Sequence, residues 1–143
     1  MTKLEKRWAW FFVMNGWRWT YHPVCEYFLR PTFRVSFRCE HSECNGSHTL
    51  DVFLMDVDHE KDFGLTVYDL AGARPQTDVC GAYVEPHPAL FGSNPSVTTW
   101  EMAHGAGGGM ECVPNWAPDW RGDWASAGYL ARTKLPIRHR RCA

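Results

Sequence analysis

Four residues with metal-ligand chemistry fall in one short polar stretch: Cys39, His41, Cys44 and His48. Thiolate and imidazole are soft donors of the kind that hold zinc. One, two and three residues separate successive ligands, which is not a familiar finger spacing. Four ligands from so short a loop require a tight wrap. In a variant, two or three come from the loop and Cys112 or His104 completes the shell. The competing reading is a polar hairpin tip with unrelated thiols. A second constellation is Asp56 and Asp58, whose spacing in a strand puts both carboxylates on one face, where a hard divalent cation can be held. His104 followed by the glycine-rich run to Gly109 has some phosphate-loop character. It lacks the Gly-Lys-Ser/Thr ending and opens no helix, so it reads as a hairpin tip. Scattered Ser and His residues assemble no triad.

The elements that must position these groups are partly legible. Thr2 and Glu5 form a capping-box pattern, and Leu4, Trp8, Phe11 and Phe12 follow at helical spacing until Asn15-Gly16. Trp17 to Tyr21 has strand propensity, interrupted at Pro23, and Tyr27 to Leu29 can continue the ribbon. Between Thr32 and Arg38, Phe33, Val35 and Phe37 alternate with Arg34, Ser36 and Arg38, as in a half-buried strand. Thr49 to Asp58 reads as the next strand, with a continuously apolar centre expected of a strand covered on both faces. The Cys/His stretch is then the loop joining these two strands, with Asn45-Gly46 as its turn. A helix is expected over 62–71, a short strand over 79–84, and an irregular connection through Pro86, Pro88, Gly92 and Pro95. Val97 to Met102 and Met110 to Val113 pair as a hairpin, and Asp123 caps a last helix that runs to Arg132 before Pro136.

At 143 residues the chain is expected to form a single domain over 1–143. Eight Trp, eight Phe and five Tyr serve either an aromatic core or a partner surface. The net charge is −1, but its distribution is uneven. Lys3, Lys6 and Arg7 lie near one end, and Arg132, Lys134, Arg138, Arg140 and Arg141 near the other. If the two ends meet they make a basic patch suited to nucleic-acid phosphates or another acidic partner; otherwise they are solvated termini. The six cysteines have no secretory signal to explain them, because the apolar run Trp8 to Met14 is too short and no small-residue cleavage site follows. A reducing compartment is expected, with thiols free or metal-bound, and no segment spans a membrane.

Taken in order, these features resemble a group of small phage and actinobacterial proteins of the PD-(D/E)XK nuclease-like superfamily. The likeness rests on Leu4-Glu5, Arg7-Trp8-Ala9, Phe11-Phe12, then Gly16-Trp17-Arg18-Trp19, Tyr21 and Pro23. It continues through Pro31-Thr32-Phe33, Asp56-Val57-Asp58 and Ala127 to Thr133. The resemblance implies an α+β (α/β) fold, with a restriction-endonuclease-like mixed sheet of about four to five strands flanked by helices. That core covers about 1–90, and a C-terminal hairpin and helix extend it over 91–143. In that superfamily an Asp and a second acid hold a magnesium ion that polarises the phosphate and activates water. A Lys one residue past the second acid stabilises developing charge. Here Thr32 stands in the place of the first Asp, Asp56 in that of the second acid, and Asp58 in that of the Lys. Glu5 matches the helix acid that sometimes completes the site, and Lys61 is the nearest substitute for the missing cation.

A carboxylate at the lysine position repels the phosphate it should stabilise. The expected function is therefore a non-catalytic structural or interaction protein on a nuclease-like fold. Its partners would be proteins of a phage virion, as a minor capsid or capsid-associated component, in the virion or the host cytoplasm. The alternative is a magnesium-dependent DNA nuclease or resolvase using Glu5, Asp51, Asp56 and Asp58. A second alternative is a phage inhibitor of host defence.

Overall fold

The computed structural model describes residues 1–23, 29–42, 44, 46–71, 85–104 and 107–136. Helix α1 spans Lys3–Met14, and the Thr2 hydroxyl accepts a hydrogen bond from the Glu5 N–H at 3.1 Å. Its apolar stripe, Trp8, Ala9, Phe11 and Phe12, is fully buried. Gly16 takes a left-handed turn at φ 70°, which a residue without Cβ adopts readily, and leads into β1 (Arg18–Tyr21). β2 (Phe33–Arg38) and β3 (Ser47–Leu54) follow. A 3₁₀ turn at Glu60–Phe63 and a short α2 (Val67–Ala71) precede β4 (His87–Phe91). β5 (Thr98–His104) and β6 (Gly107–Glu111) form a hairpin, a 3₁₀ turn spans Val113–Asn115, and α3 covers Trp120–Thr133.

The strands form one six-stranded sheet in the order β1-β2-β3-β4-β5-β6. β3 and β4 are parallel and every other pair is antiparallel, so the sheet is mixed. Two cores follow from the two-residue alternation of side chains. Phe33, Val35, Phe37, Leu50, Val52, Ala89, Phe91, Trp100 and Met102 face α1 and α3. Phe53 and Leu90 face the opposite way, onto Phe63, Val67 and Leu70. The aromatic load goes mainly into the first core, where Trp8 packs on Phe91 and Trp124 at 4.8 Å between ring centroids. The Trp8 indole N–H is satisfied by the Gly92 carbonyl at 3.0 Å.

Several expectations change. Among the described residues the sheet has six strands rather than four to five. The segment around Pro88, expected to be irregular, contains β4, a strand buried along its whole length. Its proline lacks a ladder N–H, but the strand pairs on both sides through its other residues and buries His87 to Phe91 completely, so burial overrides the local signal. β3 ends at Leu54 rather than Asp58, because Val57 N–H donates to Met55 O at 2.8 Å and closes a three-residue turn. The helix expected over 62–71 is split into the 3₁₀ turn and α2, with Gly64 left-handed at φ 72° between them. The last helix starts at Trp120, with Asp119 at its N-cap rather than Asp123. The strand expected over 79–84 lies outside the described residues.

Candidate functional site

The β2–β3 hairpin places the thiols. Arg38 pairs with Ser47, and the ladder extends one step further, since Cys39 N–H donates to Gly46 O at 3.0 Å. Alternation then puts Cys39 on the same face as Phe37, and His48 opposite Phe37 on that face. A tight turn, Cys44 N–H to His41 O at 3.0 Å, brings Cys44 back over the strand ends. As a result one ligand atom each from Cys39, Cys44 and His48 lies within 4.8 Å of the others. Cys39 and His48 are buried and Cys44 is half-buried. Cys44 lies beside both and raises the pKa of the Cys39 thiol and of the His48 imidazole. Phe37 and Trp116 wall the cluster, with ring centroids 5.8 Å and 5.5 Å from that of His48.

A second layer comes from the start of β4. Glu85 Oε1 lies 3.1 Å from His48 Nδ1 and 3.7 Å from His87 Nε2. His87 pairs with Leu50 and is buried on the same face. His48, Glu85 and His87 also bring three ligand atoms within 4.8 Å, so His48 belongs to two overlapping sets. The hydrogen bond to Glu85 raises the His48 pKa against the opposing effect of burial. Burial raises the pKa of the Cys39 thiol, partly countered by a hydrogen bond from the His41 backbone, while Cys44 beside it pushes the same way as burial.

His41 therefore does not join the set through its ring. Its side chain is exposed, and its main chain is what supports Cys39. Cys112 belongs to neither set of three, and the His104 side chain lies outside the described residues. Glu85 and His87 were missed in the sequence because the prolines around them suggested an irregular segment. Glu85 precedes β4, so strand alternation does not mark it, and His87 is the first residue of that strand.

The acids disperse. Glu5 projects from α1 on the helix side of the sheet and accepts a hydrogen bond from the Tyr21 hydroxyl. Asp51 lies between Leu50 and Val52 and so points to the opposite face, fully buried. There Arg34, its cross-strand neighbour, grips it through two bonds of 2.7 and 3.1 Å. Asp56 is exposed beyond the end of β3. Asp58 accepts from the Ser93 hydroxyl at 2.6 Å, and the turn at Met55–Val57 breaks the pleat that would have aligned it with Asp56. Among the described residues, no set of three gathered ligand atoms includes any of these four acids. Thr32 is used locally, its hydroxyl accepting from Leu54 N–H at 3.3 Å.

Helices α1 and α3, which carry Lys3, Lys6, Arg7 and Arg132, pack against each other. Arg7 is spent inside that contact: its guanidinium donates twice to Trp124 O, at 2.9 and 2.8 Å, and sits 4.2 Å from the Trp124 ring. Burial, and then the positive charge of Arg132, lower the Arg7 pKa. Arg132 and Lys134 are exposed, and Arg138, Arg140 and Arg141 lie outside the described residues. No described helix is long and apolar enough to cross a membrane. No family model, curated protein or solved structure matches this chain.

Proposed function

We propose that this chain is a non-catalytic interaction protein in which a zinc ion, held by Cys39, Cys44 and His48, fastens the end of the β2–β3 hairpin. The observation behind the non-catalytic reading is the separation of Glu5 from Asp51 by the sheet itself, each already engaged by another side chain. Metal-dependent phosphodiester cleavage needs such acids to converge on one ion. Asp58 at the lysine-like position adds the wrong sign of charge. The test is incubation of the pure protein with plasmid and branched DNA in magnesium or manganese. No cleavage is expected, and cleavage abolished by Asp56→Ala would overturn the reading.

The donor set fits zinc. Zn–S bonds of about 2.3 Å in a tetrahedron separate two sulfurs by roughly 3.8 Å, so atoms already within 4.8 Å need only a small closure. Glu85 on His48 Nδ1 leaves Nε2 for the ion and supplies the carboxylate that commonly orients a ligating imidazole. The fourth position falls to water, since the His41 side chain is exposed. The burial of Cys39 and His48 against Phe37 and Trp116 favours a structural ion over a catalytic one.

The partner on this reading is a protein assembly, specifically the capsid or another virion component, which rests on the sequence resemblance. It is supported by an apolar groove of about 320 Å³ lined by Phe63, Val67, Leu90, Tyr68 and Met110, the last two exposed. Tyr129 and Leu135 add exposed apolar surface on and just beyond α3. Quantitative mass spectrometry of purified phage particles tests it: a fixed copy number is expected, and absence from the particle would remove the virion role.

A further inference from the structure

The outer face of β1, β2 and the start of β3 holds a second site, on the side of the sheet away from the thiols. On β2, Arg34, Ser36 and Arg38 alternate with the buried Phe33, Val35 and Phe37, so all three project to this face. The register decides what each charge meets. Arg34 stands opposite Asp51 and is neutralised by it. Arg38 stands opposite Ser47, and Arg18 of β1 stands opposite Ser36. Both of these arginines are exposed, and neither has an ion-pair partner among the described residues. Glu40, two residues beyond Arg38, is exposed and pairs with neither.

Arg18 and Arg38 are diagonal neighbours across the β1–β2 ladder, a separation of about 7–8 Å at the backbone. Two long side chains rooted that far apart can converge on one anion. Between them is a pocket of about 620 Å³ lined by Gly16, Arg18, Ser36, Arg38, Gly46 and Ser47. The Ser36 hydroxyl is anchored to Thr49 at 2.8 Å, and Ser47 is exposed. Two guanidiniums with flanking hydroxyls form the donor set that recognises phosphate oxygens, because the planar fork of Arg matches them bidentately. The volume exceeds what a bare phosphate fills and lies in the range of small-molecule sites. The donors offer no partner to a cation, and the two charges disfavour a neutral apolar guest.

We infer that the Arg18–Arg38 pocket binds a phosphate ester of nucleotide size, either a free nucleotide or one unit of a nucleic-acid strand. The site is independent of the metal reading, since its charged groups lie on the other face of the sheet.

The experiment is calorimetric titration of the full chain, at low and moderate salt, with inorganic phosphate, adenosine monophosphate and a twelve-nucleotide single strand. Arg18→Gln, Arg38→Gln, the double variant and a Lys3→Gln control on α1 are compared. Both arginines are exposed, so melting curves should show the variants folded. Each single variant should bind at least about tenfold more weakly, and the double should lose measurable binding, because each loses charge-assisted hydrogen bonds. Lys3→Gln should match wild type. Adenosine monophosphate binding as tightly as the strand identifies a free nucleotide. A tighter strand, whose logarithmic salt slope falls by about one per arginine removed, identifies nucleic acid. If wild type binds none of the three probes, or if the folded double variant binds as wild type does, the inference is wrong.

Discussion

The Arg34–Asp51 pair separates a structural acid from a catalytic one, and its two halves are not equivalent. Asp51 is completely buried, whereas the Arg34 side chain keeps 35% of its surface in water. Truncating Arg34 to Ala strands a carboxylate in the interior. Breaking a buried pair in this way costs about 3–5 kcal/mol. Truncating Asp51 to Ala removes the buried charge itself and leaves a guanidinium that water can reach. That loss is about 1–3 kcal/mol, the cost of the missing hydrogen bonds and a small void. The ordering should therefore be Arg34→Ala worse than Asp51→Ala. For a domain of this size the larger loss corresponds to a melting temperature lower by roughly 10–15 °C. Replacing both, with Arg34→Met and Asp51→Leu, should recover most of the stability because no charge is left uncompensated. The assay is urea and thermal unfolding of the wild type and the three variants followed by tryptophan fluorescence. An Asp51→Ala protein less stable than Arg34→Ala would refute the reasoning, as would a double variant no better than Arg34→Ala.

Other outcomes follow from single contacts. A Cβ on Gly92 would lie 2.5 Å from Val97 Cγ1 and 2.7 Å from Val57 O. Gly92→Ala should therefore destabilise by about 1–3 kcal/mol in urea unfolding. Glu85→Gln keeps the shape but weakens the orienting carboxylate on His48, so zinc affinity measured by chelator competition should fall by roughly 10- to 100-fold. Apparent zinc affinity should rise with pH. Burial holds the proton on Cys39 and the Glu85 contact holds it on His48, so the ion must displace both, and acid favours the protonated ligands. A flat pH profile in the same competition assay would contradict ligation by these two residues. A Cβ on Gly128 would sit 2.9 Å from Arg7 Cζ. Gly128→Ala should lower the melting temperature by displacing Arg7 from Trp124, and a variant that melts at or above wild type would contradict that packing.

The first helix was legible because its start signal, apolar stripe and glycine stop agree with one another. The β2 strand was legible because Phe33, Val35 and Phe37 alternate cleanly with polar residues. β4 was not, because Pro86 and Pro88 are turn signals that only tertiary burial between β3 and β5 overrides. The end of β3 was misplaced for a related reason: Met55 to Asp58 continues the apolar and acidic pattern, and the turn that ends it is a backbone event with no residue signature. At the site, Cys39, Cys44 and His48 were legible from residue type alone. His41 has the same chemistry and a similar position, yet its ring faces solvent, since spacing in a loop does not fix direction as it does in a strand. Glu85 and His87 reach the cluster only through the parallel pairing of β3 with β4. The uncompensated Arg18 and Arg38 emerge only once the cross-strand register is known.

The most direct test is the native mass of the chain, purified under reducing conditions without chelator, beside that of Cys44→Ser. The account predicts one zinc per chain in the wild type and none in the variant. A metal-free wild type, or zinc retained at one per chain in Cys44→Ser, would contradict it.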